Sequence, residues 1–326
     1  MHYQLLAKEV VQGKTISLSE ALRLINSPDE EAFEFFAAAN LIRKNFKGDR
    51  VKLCAIVNAK SGRCSENCSF CAQSAHHKTK VKDYPLLSQE EMDTAAKSAE
   101  QNMSATCFSI VTSGKSILSE SEMDTIANTV KSINHNTSLN RCVSLGILSQ
   151  AQIRQLKGAG LKRLHHNLET AESFFDQMCT THTYKERLEV IKTAKVEGLE
   201  VCSGGIFGLG ESLEQRVELA FALSEIGVDS VPINILHPIE GTVAAKNYKP
   251  LPPLEVLRLI ATYRFILPKA DIGVFGGRET SLRDLQPLMF VAGANVTLIG
   301  DYLTTPGQAP GKDLQMIKDL GLEIDR

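Results

Sequence analysis

From about residue 50 onward, short apolar runs alternate with longer stretches of helical periodicity. The runs cover residues 51–57, 105–111, 141–145, 163–168, 200–207, 230–236, 271–275 and 296–299. Each is short, continuously apolar and bounded by turn residues, as a buried strand requires. Between the runs, Ser88/Glu91, Ser119/Glu122, Ser149/Gln152, Thr183/Glu186 and Ser212/Gln215 form capping boxes. In each box the hydroxyl accepts a free N–H of the first helical turn, and the acidic or amide side chain reaches back to another. Pro252 and Pro253 open a further helix, where a missing N–H costs nothing. Leu254, Leu257, Ile260 and Ala261 fall on one face of it, and Gly158, Gly160, Gly198, Gly227 and Gly293 suit left-handed helix ends.

Eight strands separated by crossover helices predict an α/β fold of the (β/α)8 TIM-barrel type, with an open doubly wound sheet as the alternative. The chain before residue 48 reads differently, as helices over 18–25 and 30–46 without strands. Residues 1–47 are therefore expected to be a helical extension forming one domain with the barrel at 48–326, being too short for a core of their own.

Composition narrows the function. Hydrophobic residues at 43% and charged residues at 23% suit a globular chain. A formal net charge of -2 offers no electrostatic case for nucleic acid or an anionic membrane. The N-terminus lacks a signal peptide's basic start and apolar core, and no apolar run reaches bilayer length. The expected compartment is a reducing cytoplasm, where the eight cysteines would be buried small hydrophobes or metal ligands rather than disulfides.

Cys64, Cys68 and Cys71 follow the first strand in a C-x3-C-x2-C pattern. Three thiolates on one loop hold three irons of a 4Fe–4S cube and leave the fourth open to a chelating ligand, whereas ferredoxins saturate theirs with four cysteines. With Phe70 before the last cysteine, the pattern resembles the radical S-adenosylmethionine (SAM) superfamily, in which that aromatic lies near the adenine. Functional loops of a barrel lie at the carboxyl ends of its strands, as this one does. Two other readings use the same residues: a Cys3His zinc site completed by His76 or His77, and a redox pair of Cys68 and Cys71.

Cys107, Cys142 and Cys202 lie in the second, third and fifth predicted strands. Each alone reads as a packing residue; all three pointing inward would converge in the barrel lumen, where thiolates bind a second cluster. Together with the segments at 166–169, 201–211, 230–234, 277–279, 292–295 and 303–306, they give nearly the whole chain a resemblance to the biotin synthase family. In that family, cysteines matching Cys107, Cys142 and Cys202 hold an auxiliary 2Fe–2S cluster that supplies sulfur to the product.

The resemblance further implies that Phe70 and Ile206 flank the adenine of SAM, Glu169 contacts its ribose and Arg187 its carboxylate. Asn167 and Asn234 would bind the ureido ring of dethiobiotin, and Thr304 and Thr305 its carboxylate. Read without it, the asparagines are turn residues, Arg187 is a solvated helix residue and the Gly-rich segment at 204–210 is a strand-to-helix turn. A SAM-derived radical would abstract hydrogen from dethiobiotin, and the auxiliary cluster would donate sulfur to form biotin. A flavodoxin- or ferredoxin-type reductant and a homodimer are family expectations. The sequence departs from the pattern at Gly273, which stands where the best-known members carry an arginine ligand on the seventh strand, and at His165, which replaces a common asparagine. Cys54, on the first strand where those members commonly have another residue, is either a fourth thiolate for the auxiliary cluster or a packed core thiol. Cys179 matches no family role and reads as structural. Competing classes are another radical SAM enzyme of similar barrel, of the hydrogenase-maturase or methylornithine-synthase type, and a non-catalytic metal or redox scaffold.

Overall fold

The computed structural model describes residues 2–325. Strands β1 (Arg50–Lys60), β2 (Cys107–Thr112), β3 (Asn140–Ser144), β4 (Arg163–His165) and β5 (Glu200–Cys202) pair in sequence order, all parallel. The fifth barrel position is broken after Cys202 and resumes as β6 (Gly205–Phe207); both pieces pair with β7 (Ser230–Ile235). Next come β8 (Asp271–Val274) and β9 (Val296–Leu298), and β9 pairs back onto β1. That last ladder closes the barrel and rules out the open sheet. A short strand β10 (Glu323–Ile324), which the pattern does not predict, pairs outside the barrel with the start of β1.

The crossovers are helical because their apolar stripes face the sheet. Four of the five predicted capping boxes form in full, at Ser88, Ser149, Thr183 and Ser212. At the fifth, Ser119 caps the Glu122 N–H, but Glu122 turns its carboxylate to Lys60 at 2.7 Å. Gly160, Gly198, Gly227 and Gly293 have positive φ as expected; Gly158 instead ends the helix Gln150–Gly158 as one of its residues.

Three helices, rather than two, precede the barrel: Tyr3–Val11, Leu18–Ile25 and Ala32–Lys47. Tyr3 stacks on Phe35 at a centroid distance of 5.2 Å, and Phe35 meets Phe265 of the helix Pro253–Ile266 at 5.6 Å. Aromatic burial of this kind ties the N-terminal helices to the outside of the barrel.

The base of the barrel is pinned by a buried carboxylate. Asp271, on β8, meets Lys52 of β1 at 2.7 Å, Lys47 of the preceding helix at 2.9 Å and the Asn295 amide at 2.9 Å. Burial alone would raise its pKa, but the two lysines outweigh it and hold the carboxyl far below the usual range. Asn295 in turn accepts from the buried Arg264 guanidinium and from the Ile272 N–H, both at 2.9 Å. Asp271→Asn is expected to cost roughly 2–3 kcal/mol at neutral pH, less than a sealed ion pair because both lysines keep access to water. A depressed pKa gives stability that is present above the unfolded carboxyl value of about 4 and is lost as pH falls below it. Urea unfolding of parent and variant should therefore differ at pH 7 and converge on acidification below roughly pH 4; parallel curves would rule out the charge as the cause.

Candidate active site

Strand alternation aims every second side chain into the barrel, and the result here is a lumen cavity of about 360 Å³ lined by Cys54, Cys107, Cys142 and Cys202. Cys54 is the register partner of Cys107, Cys142 of Arg163 and Cys202 of His165. All four are free thiols. Hydrogen bonds from Cys142 and Cys54 hold the Cys107 thiol well below its ordinary pKa, and the same bonds, with burial, push Cys54 and Cys142 up. Burial raises Cys202 to about 11. His165 Nδ1 lies 3.3 Å from Cys202 Sγ, and burial lowers that imidazole to about 4, so the ring is neutral at pH 7.

The three-cysteine loop leaves β1 and folds back on itself. Cys64 N–H donates to Gln73 O at 3.0 Å, Ala75 N–H to Cys64 O at 2.8 Å and Cys71 N–H to Cys68 O at 3.0 Å. Phe70 and Cys71 reach the lumen lining, while Cys64 and Cys68 are buried behind them. The three sulfurs do not all come within 4.8 Å of one another, so they do not form a site for a single metal ion as they stand. His76 and His77 bond instead to the carbonyls of Ser65 and Cys71, at 3.0 and 2.9 Å, and neither joins a zinc-sized group among the described residues.

Cys179 packs against the cysteine loop, in keeping with a structural role, and its Sγ lies 3.3 Å from Asn67 Oδ1. Cys68, Cys179 and His182 bring ligand atoms within 4.8 Å of one another, and a hydrogen bond from Cys68 lowers the Cys179 thiol to about 3. The imidazole is engaged on both sides, however. Nδ1 lies 2.6 Å from Glu66 Oε2, and Nε2 accepts from Arg187 Nε at 2.8 Å. The ring must carry its proton on Nδ1 to satisfy both, so it links Glu66 of the cysteine loop to Arg187 and has no lone pair left for a metal. Sequence patterns give no signal for this link, because its members lie far apart along the chain.

At the carboxyl ends of the strands the backbones come unusually close. A Cβ at Gly204 would lie 2.1 Å from Pro232 O, and one at Gly205 would lie 2.4 Å from Glu169 O. These glycines admit neighbouring strands, which explains them without a ligand. Glu169 takes φ +72 there, with its N–H on Gly204 O at 3.1 Å and its carbonyl accepting from Ile206 N at 2.8 Å. Burial raises its carboxyl pKa, opposed by Arg187 at 3.5 Å and the Asn167 amide at 3.2 Å. Asn167 also accepts from Gly204 N–H at 3.1 Å, and Asn234 accepts from Gly276 N–H at 3.1 Å. Both asparagines, Glu169, Ile206, Thr304 and Thr305 line the lumen. Arg187 does not; it stands one layer behind, donating to Asn167 O at 2.8 Å. The two threonines also border a second cavity of about 950 Å³ at the mouth, flanked by Lys78, Lys80, Lys82 and Lys246.

At Gly273 an added Cβ would lie 2.7 Å from the Phe275 ring and 3.0 Å from Val296 Cβ. The Phe275 ring, which lines the lumen, fills the space a side chain at 273 would need.

Residues 59–223 match the family model described as "Radical SAM superfamily", and residues 232–323 match the "Biotin and Thiamin Synthesis associated domain". The curated biotin synthase of Geotalea daltonii is 49% identical over 324 residues, covering 99% of this chain and 98% of its own. That of Geobacter sulfurreducens is 49% identical over 319 residues, covering 98% and 96%. Among solved structures, methylornithine synthase superposes with a TM-score of 0.86 at 20% identity, covering 98% of this chain and 97% of its own. A maturase of [FeFe]-hydrogenase gives 0.84 at 17%, covering 99% and 75%. Those two likenesses show the shared barrel, while the sequence relatives separate this chain from both enzymes. An open three-thiol loop over a closed parallel barrel, on a chain half identical to curated biotin synthases along almost its full length, identifies an enzyme of the biotin synthase family, whose radical SAM chemistry uses a 4Fe–4S cluster and SAM.

Proposed function

We propose that this enzyme converts dethiobiotin to biotin, with Cys64, Cys68 and Cys71 holding the 4Fe–4S cluster and Cys107, Cys142 and Cys202 holding an auxiliary iron–sulfur group. The observation that carries the reading is the convergence of lumen thiols below the Phe70–Cys71 end of the cysteine loop. Cys54 acts as the fourth auxiliary ligand, because its sulfur hydrogen-bonds with Cys107 and lines the same wall. When bound, the iron–sulfur groups and SAM supply the reducing electron, the 5′-deoxyadenosyl radical and the sulfur atom.

The protein's own contribution is binding, orientation and exclusion of water. Glu169 offers a buried carboxylate to a hydroxyl pair of the SAM ribose, and Phe70 and Ile206 give the adenine two apolar faces. Asn167 and Asn234 each present an amide, which pairs with the donor and acceptor of a cyclic urea. Thr304 and Thr305 sit at the mouth, where hydroxyls suit a carboxylate. Arg187, one layer behind the lumen, turns its charge and its remaining Nη2 toward the SAM carboxylate, with Nε held by His182 and Nη1 by Asn167 O. Residues 1–47 serve as a helical extension forming one domain with the barrel at 48–326. The enzyme works in the cytoplasm as a homodimer, with electrons from a flavodoxin- or ferredoxin-type protein.

Anaerobically reconstituted enzyme given SAM, a reductant and dethiobiotin should form biotin and about two 5′-deoxyadenosines per biotin, read by mass spectrometry; deoxyadenosine without biotin would move the substrate to another radical SAM class. Cys54→Ser should keep the 4Fe–4S signal and lose auxiliary iron; unchanged auxiliary iron and Mössbauer spectra would return Cys54 to the core. His182→Ala should weaken SAM binding about tenfold, equivalent to about 1.4 kcal/mol, with His182→Gln recovering most of it. Equal SAM affinity in equilibrium dialysis would mean that Arg187 does not depend on His182.

A further inference from the structure

A metal-binding lumen with four thiols has a charge problem. Each cysteine must lose its proton to bind iron, and clustered negative charge is costly to bury without a cation to pair it. Yet the walls near these sulfurs are nearly devoid of cations. Lys52 is turned down to Asp271 at 2.7 Å. Arg141 directs Nε to Gly160 O at 3.1 Å and Nη1 to Leu139 O at 3.0 Å, and it does not line the lumen. His165 Nδ1 lies 3.3 Å from Cys202 Sγ, but an imidazole is not a permanent cation. Position 273 is a glycine and brings no side chain.

Arg163 is the one lysine or arginine among the described residues that lines the lumen. It lies on β4 as the direct register partner of Cys142, and its side chain is 9% exposed. One edge of the guanidinium is fixed: Nε and Nη2 both donate to Glu200 Oε2, at 3.0 and 2.7 Å, and Nη2 lies 3.9 Å from Asp271 Oδ2. Nη1 has no hydrogen-bond partner among the described residues, and it is not among the buried polar atoms left without one. The orphan nitrogen therefore keeps some accessible surface on a side chain that faces the thiols.

We propose that Arg163 is a cofactor-binding residue of the lumen, its fixed guanidinium neutralising the auxiliary iron–sulfur group and donating to its sulfur through Nη1. The inference rests on the reading that the lumen thiols hold such a group. It adds a residue from the fourth strand that neither a three-cysteine nor a four-cysteine ligand set includes. Glu200 and Asp271 act as positioning residues, keeping the guanidinium plane aimed at the sulfurs from the side away from them.

The test uses holoenzyme reconstituted with iron and sulfide, as parent, Arg163→Met and Arg163→Lys, with the 4Fe–4S signal as an internal control for folding. Arg163→Met should lose auxiliary iron and sulfide at least tenfold faster on desalting, and its auxiliary potential should move negative, because a cation stabilises the more negatively charged reduced form. Arg163→Lys, which keeps the charge but not the fork, should fall between the two. Parent enzyme grown on 15N-arginine should show nitrogen or exchangeable-proton hyperfine coupling to the reduced auxiliary group, absent in Arg163→Lys; this measurement stands even if Arg163→Met fails to fold. Auxiliary iron, potential and spectra in Arg163→Met equal to the parent, or no arginine coupling in the parent, would overturn the proposal while leaving the auxiliary group in place. A parent holding only about four irons per chain would overturn the underlying reading and this inference with it.

Discussion

One buried carboxylate ties the outside of this molecule to its chemistry. Asp271 draws in Lys47 from the N-terminal helix, Lys52 from the first strand and Asn295 from the turn before the last barrel strand. Through Asn295 it also engages Arg264 of the helix Pro253–Ile266, on which the N-terminal aromatics pack. A charge this deeply buried is tolerated only when every surrounding donor is in place. The β8–β9–β1 closure and the seating of the N-terminal helices are therefore coupled rather than independent. On its lumen side the same carboxylate lies 3.9 Å from Arg163, so the fixed charge that closes the barrel also backs the guanidinium among the thiols.

The cysteine loop shows the same economy of connection. Its own backbone bonds fold it back on itself, and bonds to another segment hold it against the barrel. Glu66, between the first two cysteines, is bonded to His182, and Asn67 Oδ1 accepts from Thr180 N–H at 3.0 Å. Ser69 N–H donates to Met178 O at 2.9 Å. These bonds fasten the loop to the segment after the fourth strand, which also carries Arg187. Movement at the metal loop and movement at Arg187 are thus mechanically joined through one imidazole whose two nitrogens are both occupied.

Much of this was readable from the chain, and the unread parts have definite causes. The eight barrel strands announce themselves because their outward and inward faces are both buried, giving unbroken apolar runs. Four of five capping boxes read true because a cap is a local interaction. The helix Tyr3–Val11 was illegible because His2 offers it no side-chain cap. The break between β5 and β6 arises from close backbone contact at Gly204 and Gly205, a property of neighbouring strands. Gly273 is visible in the sequence as a departure, whereas the Phe275 ring that lies against it is seen only once that ring has turned into the lumen. Arg163, Glu66 and His182 carry no signal in the sequence because each acquires its surroundings only when distant segments meet.

The lumen is divided along its axis into two chemically unlike ends. Toward the mouth it presents amides, a carboxylate and hydroxyls, from Asn167, Asn234, Glu169, Thr304 and Thr305; toward the base it presents four thiols and one guanidinium. His165 marks the boundary, and its neutrality matters. An imidazolium beside Cys202 would pair with the thiols in competition with Arg163 and would switch with pH. Burial that lowers the ring to about 4 removes that variable across the physiological range. The charge facing the thiols is then set by a guanidinium that does not titrate. A substrate held at the polar end would meet a sulfur end of constant electrostatic character, which a fixed arginine provides and a histidine of ordinary pKa would not.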